Sequence, residues 1–230
     1  MSPAEVDASY IVNVEVVGNI TPSLEALTDR GNAHAPTRTS RFRQMLREEL
    51  AQGGQDTSFP FKPQRILADL HSSLAHDDIV ISDVGAHKVW PGHLFPCFLP
   101  NTCIISNGFA AVGIALPSAV VAKLAYSDRR VVAVTGDGGS LMNSQELETA
   151  VRMGTPFVVL IFNDGGLGLI RWKQIQQFGS STYVEFNNMD IVKYTESFGA
   201  KGYRIGRGTD PRATEGTEFP YTFNHRLPSR

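Results

Sequence analysis

Residues 130–174 read RVVAVTGDGGSLMNSQELETAVRMGTPFVVLIFNDGGLGLIRWKQ, and they set out a strand, a glycine turn, a helix, a second strand and a second acidic turn in succession. Residues 131–135 are a short β-branched run, which predicts a strand. Gly136, Asp137, Gly138 and Gly139 follow, and their small side chains let the backbone approach a ligand closely. A helix is expected after Asn143, whose side chain can form a capping box with Glu146. Leu147, Ala150 and Val151 give that helix an apolar edge, and Thr155 and Pro156 stop it. Residues 157–162 are wholly apolar, as a parallel strand covered on both faces would be. Asn163, Asp164, Gly165 and Gly166 come directly after it. The fold class expected is α/β: a doubly wound, mostly parallel sheet with helices on both faces. In such a sheet both acidic turns lie outside the carboxyl ends of the strands, where ligands bind.

Two carboxylates converging on that edge suit a diphosphate held through a divalent ion. Mg²⁺ takes oxygen ligands at roughly 2.0–2.1 Å, commonly one or two carboxylates together with phosphate oxygens. Asp137 and Asp164 supply the carboxylates, with a backbone carbonyl at Gly166, while the amides of Gly138 and Gly139 face the phosphates. The plain alternative for either turn alone is an ordinary glycine turn with a solvated Asp. The two together are more specific.

Gly136-Asp137-Gly138 is separated from Asn163-Asp164 by residues 139–162, which is 24 residues. That pattern resembles the thiamine diphosphate signature, and NSQELETAVR and NDGGLGLIRWKQ resemble the acetolactate synthase group. The resemblance implies thiamine diphosphate and Mg²⁺ as cofactors, with Gly136 in the signature turn. It extends to DVGAHKVW, where Ala86 and His87 correspond to residues that reach the cofactor phosphates. It extends also to residues 106–113, which look like the aminopyrimidine loop: the Ala110 carbonyl accepts from the cofactor amino group, and the Val112 side chain wedges the bent cofactor. Many relatives have the longer Met at that point. The comparable Trp of the biosynthetic enzymes falls one residue after Trp172, so no substrate contact is carried over to Trp172.

With 230 residues, 42% of them hydrophobic and 19% charged, the chain is long enough for one full core plus an appendage. A net charge of −2 argues against nucleic acid or an anionic membrane as a partner. Arg38, Arg41, Arg43 and Arg47 sit among Glu48 and Glu49, which reads as a solvated helix face. Cys97 and Cys103 are too few and wrongly spaced for a zinc site, and they read as core thiols. The first ten residues lack a signal-peptide pattern, and no stretch approaches about 20 apolar residues. A cytoplasmic location is expected.

Along the chain, residues 10–17 alternate as a strand does, and Thr21 and Pro22 open a helix running through Leu24 and Leu27 to Gly31. Residues 1–31 resemble the closing piece of a middle domain, so the chain looks truncated at its front. Residues 32–62 read as a connection, with a charged helix from Ser40 and a break at Gly53 and Gly54. The cofactor-binding domain is expected over 63–205. It begins with a helix from Pro63 to Ala75 carrying Ile66, Leu67, Leu70 and Leu74 on one stripe, then a strand over 79–82. A strand over 102–105 and a buried helix ending at Leu124 follow. After the central stretch come an amphipathic helix over 167–178, a helix over 188–198 closed by Gly199, and a strand over 201–205. Residues 206–230 hold three prolines among polar residues without a period and read as an irregular tail.

The resemblance implies decarboxylation of a 2-oxo acid such as pyruvate and its carboligation to acetolactate, as in branched-chain amino acid biosynthesis. It also implies a homo-oligomer, or association with a chain supplying the N-terminal domain that carries the activating Glu. That Glu belongs to a part of the family pattern not matched here. A non-catalytic remnant or interaction module therefore remains as an alternative. A dinucleotide or P-loop enzyme lacks support, since the third Rossmann glycine and a Gly-Lys-Ser/Thr triplet are both missing.

Overall fold

The structure, a computed structural model, describes residues 13–31, 37–187, 189–205 and 223–224. It divides into two compact units, Met1–Phe42 and Arg43–Arg230.

In the first unit, α1 spans Ile20–Arg30, with Asn19 as its N-cap accepting from the Thr21 amide at 3.1 Å. The helix expected there forms, but the strand before it does not. Residues 13–17 are irregular, and Val14, Val16 and Val17 are all exposed. Alternation alone makes no strand when no neighbouring strand takes up its hydrogen bonds. Residues 10–12 lie outside the described ones.

Helix α2 spans Thr37–Gly53, beginning ahead of Ser40. The second unit then runs α3 (Pro63–Ser73), β1 (Ile79–Ser82), α4 (Val89–Leu94), β2 (Cys103–Ile105), α5 (Ala115–Ala125), β3 (Val131–Gly136), α6 (Asp137–Met142), α7 (Glu146–Met153), β4 (Val158–Phe162), α8 (Gly168–Phe178), α9 (Ile191–Ser197) and β5 (Phe223–Asn224). Pro63 occupies the first turn of α3, where its missing N–H costs nothing.

The sheet order is β2-β1-β3-β4-β5, with the first four strands parallel and β5 antiparallel to β4. The side-chain period of two sorts each strand between two cores. Ile79, Ile81, Val131, Ala133 and Val159 face α5 and α7, meeting Leu116, Ala119, Leu147 and Ala150. Val80, Val132, Val134, Val158 and Leu160 face the other way, onto Leu67, Leu70 and Leu94 of α3 and α4. Helices therefore cover both faces, which is the doubly wound architecture expected. The chain leaves β1 toward one face and β3 toward the other, so the two neighbouring strands open a crevice between their carboxyl ends.

Several local expectations are corrected. A helix starts at once after β3, at Asp137, in place of the expected glycine turn. Asn143 caps nothing: its Nδ2 donates to the Gly113 carbonyl at 2.9 Å, and α7 starts without a side-chain cap. Helix α7 ends at Gly154, whose φ of 63° closes it before Thr155 is reached. Helix α9 starts at Ile191, with Asp190 accepting from the Val192 amide at 3.2 Å; residue 188 lies outside the described residues. Residues 202–205 are irregular where a strand was expected. The strand beside β4 is instead β5, the one described part of the expected irregular tail.

Candidate functional site

Three loops leave the carboxyl ends of β1, β3 and β4 on one edge of the sheet. Asp83 follows β1 and is fully buried. Its Oδ1 accepts from the amides of Val84 at 2.6 Å and Gly113 at 2.8 Å, and its Oδ2 from Thr135 Oγ1 at 3.2 Å and the Ala115 amide at 3.4 Å. One carboxylate thus joins the β1 loop, the loop before α5 and the end of β3. Sequence reasoning assigned no role to Asp83, because its partners lie 30 to 52 residues away. An Asp closing a strand of four buried residues was the one available signal.

Gly85, with φ of 157°, turns the chain so that His87 folds back against it; a Cβ there would lie 2.7 Å from His87 Cε1. The imidazole is 5% exposed, stacks on Phe162 at 6.3 Å, and lies beside Gly136, where a Cβ would meet Nδ1 at 3.2 Å. His87 therefore stands in the crevice between β1 and β3. Burial lowers its pKa, against the opposing pull of Asp83 and Asp137. Its Nε2 is buried without a hydrogen-bond partner. A buried polar nitrogen left in this state costs free energy, which points to a ligand that completes it.

Asp137 is 1% exposed. Its Oδ1 accepts from its neighbour Gly138 at 2.9 Å, and its Oδ2 from the Gly165 amide at 2.8 Å, so it pins the β4 loop to the end of β3. The Gly138 amide, expected to face a phosphate, is directed onto Asp137. The two glycines at the start of α6 serve close packing. A Cβ at Gly138 would lie 2.9 Å from Leu167 Cδ2, and one at Gly139 would lie 2.7 Å from Thr135 Oγ1. This contact requirement outweighs the roughly 1 kcal/mol that each Gly costs in a helix.

Asp164 sits on the same edge, with its side chain 49% exposed. Its pKa is raised, first by desolvation and then by the negative charge of Asp137, whose Oδ2 accepts from the amide of the adjacent Gly165. Arg171 Nη2 lies 3.2 Å from its Oδ2. A Cβ at Gly168 would lie 2.6 Å from Asp164 Oδ2 and 3.7 Å from the Ala86 Cβ, so Ala86 borders the same spot. Gly166 pairs with Glu185 in an antiparallel bridge, which holds the loop in shape.

The structure thus brings Ala86, His87, Gly136, Asp137, Asp164 and Gly166 to one edge. Ala110 and Val112 stand on the loop before α5, which Asp83 and Asn143 hold through Gly113. Ala110 has a left-handed backbone, φ 55°, uncommon for a residue with a Cβ. Val112 is 37% exposed. Among the described residues no group of three or more His, Cys, Asp or Glu forms a protein-only metal cage. Nor is any helix long and apolar enough to cross a membrane. A cavity of about 290 Å³ beside β4, lined by Phe59, Phe61, Ile66 and Tyr203, borders this loop cluster at Phe162 and Asn163.

Known proteins carry the same stretch. Residues 83–216 match the family described as thiamine pyrophosphate enzyme, C-terminal TPP binding domain, which is more than half of the chain. Acetolactate synthase of Bacillus subtilis is 33% identical over 207 residues, covering 88% of this chain and 36% of the relative. The catabolic acetolactate synthase of Raoultella terrigena is 32% identical over 210 residues, 88% of this chain and 37% of its own. Acetolactate synthase isozyme 3 large subunit of Escherichia coli is 29% identical over 237 residues, 99% of this chain and 41% of its own. The chain spans somewhat more than a third of the length of these relatives. A sheet with its loops gathered at a β1/β3 crevice, and a family match that starts at Asp83 itself, make this chain a member of the thiamine diphosphate-dependent, acetolactate synthase-like family, carrying its cofactor-binding domain.

Proposed function

We propose that this chain is the thiamine diphosphate- and Mg²⁺-binding portion of an acetolactate synthase-like enzyme. The observation that carries the reading is a buried His87 Nε2 with no partner, at the end of a parallel sheet where Asp137 accepts from the amide of Gly165, the residue next to Asp164. The donor set fits a hard divalent ion: Asp137 and Asp164 give carboxylate oxygens, Gly166 a carbonyl, and diphosphate oxygens would complete an octahedron. When bound, thiamine diphosphate supplies the electron sink for decarboxylating a 2-oxo acid and joining the fragment to a second one.

The chain's own residues bind and orient. Asp137 is the rigid ligand, since two backbone amides hold its carboxylate. Asp164 is the adjustable one. His87 would offer its unpartnered, buried Nε2 to the diphosphate. Asp83 is a positioning residue that keeps the His87 and Gly113 loops together. Ala110 and Val112 are assigned to the aminopyrimidine end.

Calorimetry of thiamine diphosphate with Mg²⁺ tests the reading. Asp137→Ala is expected to abolish the Mg²⁺-dependent heat, and unchanged affinity would overturn the metal assignment. Turnover of pyruvate to acetolactate is proposed for this chain together with a domain supplying the activating Glu, a domain that would come from a homo-oligomeric neighbour or a separate chain. Cofactor binding without acetolactate, in the presence of such a domain, would leave a non-catalytic binding module.

A further inference from the structure

Arg171 lies in the first turn of α8, and its guanidinium spans two acids. Nη2 is 3.2 Å from Asp164 Oδ2, and Nη1 is 3.6 Å from Glu185 Oε1. The acids belong to two arms of one backbone clamp: the Leu167 amide donates to the Val184 carbonyl at 2.8 Å, and the Phe186 amide to the Gly165 carbonyl at 3.2 Å. Between these bonds Gly166 and Glu185 face one another as a bridge. The absent Cβ of Gly168 lets the Asp164 carboxylate settle over the start of α8, within reach of Arg171. Side-chain exposure is 30% for Arg171, 49% for Asp164 and 76% for Glu185, so the guanidinium is the most buried of the three and Glu185 the most solvated.

We infer that Arg171 is a resident counter-cation that competes with the divalent ion for Asp164, and that Glu185 draws the guanidinium aside when the ion is taken up. The inference rests on the reading of Asp164 as a metal ligand. A guanidinium on Oδ2 occupies an oxygen that the ion needs, or, if the ion takes Oδ1 instead, leaves two cations repelling across one carboxylate. Glu185 counters this from the solvent side, holding the guanidinium by its other nitrogen. Arg171 is thus a positioning residue that sets how tightly the site takes a cation. Ion pairs of this partial exposure are screened, so its influence is modest.

The sign of the effect separates this role from a structural one. Arg171→Gln removes the competitor and should tighten cation binding about two- to fivefold, the range that exposed pairs allow. Glu185→Gln leaves the guanidinium wholly to Asp164 and should weaken binding by a smaller factor. Arg171→Lys keeps the charge and should stay near the parent value. A clamp that only needed its ion pairs would weaken with both neutral substitutions. The measurement is Mn²⁺ titration of the full chain at fixed thiamine diphosphate, reading free Mn²⁺ by electron paramagnetic resonance, without turnover. Asp137→Ala runs alongside: if it leaves Mn²⁺ binding unchanged, the metal reading fails and this inference with it. If Asp137→Ala loses Mn²⁺ while Arg171→Gln binds it equally or more weakly, only the competition is overturned.

Discussion

Strand β1 has a buried aspartate at each end, and the two are treated differently. At the amino edge, Asp78 accepts from the Ala75 amide at 2.7 Å and the Arg130 amide at 2.9 Å, and pairs with the Arg130 guanidinium at 2.7 Å through both Nε and Nη2. Its charge is neutralised within the fold. At the carboxyl edge, Asp83 receives amides and a hydroxyl. Asp137 and Asp164 lie on the same edge, His87 Nε2 is unpartnered, and Arg171 pairs with Asp164. The lesson is that polar groups closed among themselves hold the sheet together, while the proposed cofactor edge keeps a buried polar atom without a partner, as a binding site does.

The largest expected contrast comes from one aspartate at each edge. Asp137→Ala should lower Mg²⁺-dependent thiamine diphosphate affinity more than about a hundredfold, around 2.7 kcal/mol or more. Asp78→Ala should lower folding stability by about 1–3 kcal/mol in urea titrations, because it removes the acceptor shared by the Ala75 and Arg130 amides, while leaving the affinity of the folded protein unchanged. Equal binding losses in both would erase the distinction between the edges.

The crevice supplies two intermediate effects. Gly138→Ala drives a methyl into Leu167 Cδ2 and toward the Phe186 ring, and should cost about 1–3 kcal/mol of stability. Leu167→Ala in the same chain should recover part of that loss, as a double-mutant cycle would show. His87→Phe should reduce cofactor affinity about tenfold, around 1.4 kcal/mol, yet change stability by less than about 1 kcal/mol, since it removes an unsatisfied buried nitrogen and keeps a ring of similar size. A large loss of stability with normal binding would show the ring to be structural.

The smallest effect is a pH dependence shared by both edges. His71, packed against Phe95, and His87 each have a pKa lowered below 6.5, with burial the leading cause. In that window the unfolded chain binds more protons than the native one. Stability is therefore complete above pH 6.5 and is lost as pH falls toward the folded-state values. His71→Phe should flatten one part of this slope in urea titrations across pH, and His87→Phe another.

Much of the ligand edge was legible in the residue order. Strand β1 falls where it was expected, and β3 and β4 begin or end within one residue of expectation, because strands covered on both faces must be apolar throughout. The acids after them mark the carboxyl ends. Elsewhere local pattern misled. Residues 13–17 alternate but pair with no strand among the described residues. Asn143 and Glu146 have the spacing of a capping box, yet Asn143 is engaged by Gly113, which is 30 residues away.

By itself, then, the chain of residues determined the four parallel strands, their buried faces and the positions of Asp137 and Asp164 at strand ends, since these depend on periodicity and on where a strand stops. Tertiary structure alone decided that Asp83 ties three segments together, that two glycines belong in a helix against Leu167 and Thr135, and that Arg171 and Glu185 bracket Asp164. Each of those depends on groups far apart in sequence, or on the room between two surfaces. Neither quantity exists until the sheet has brought its loops to one edge.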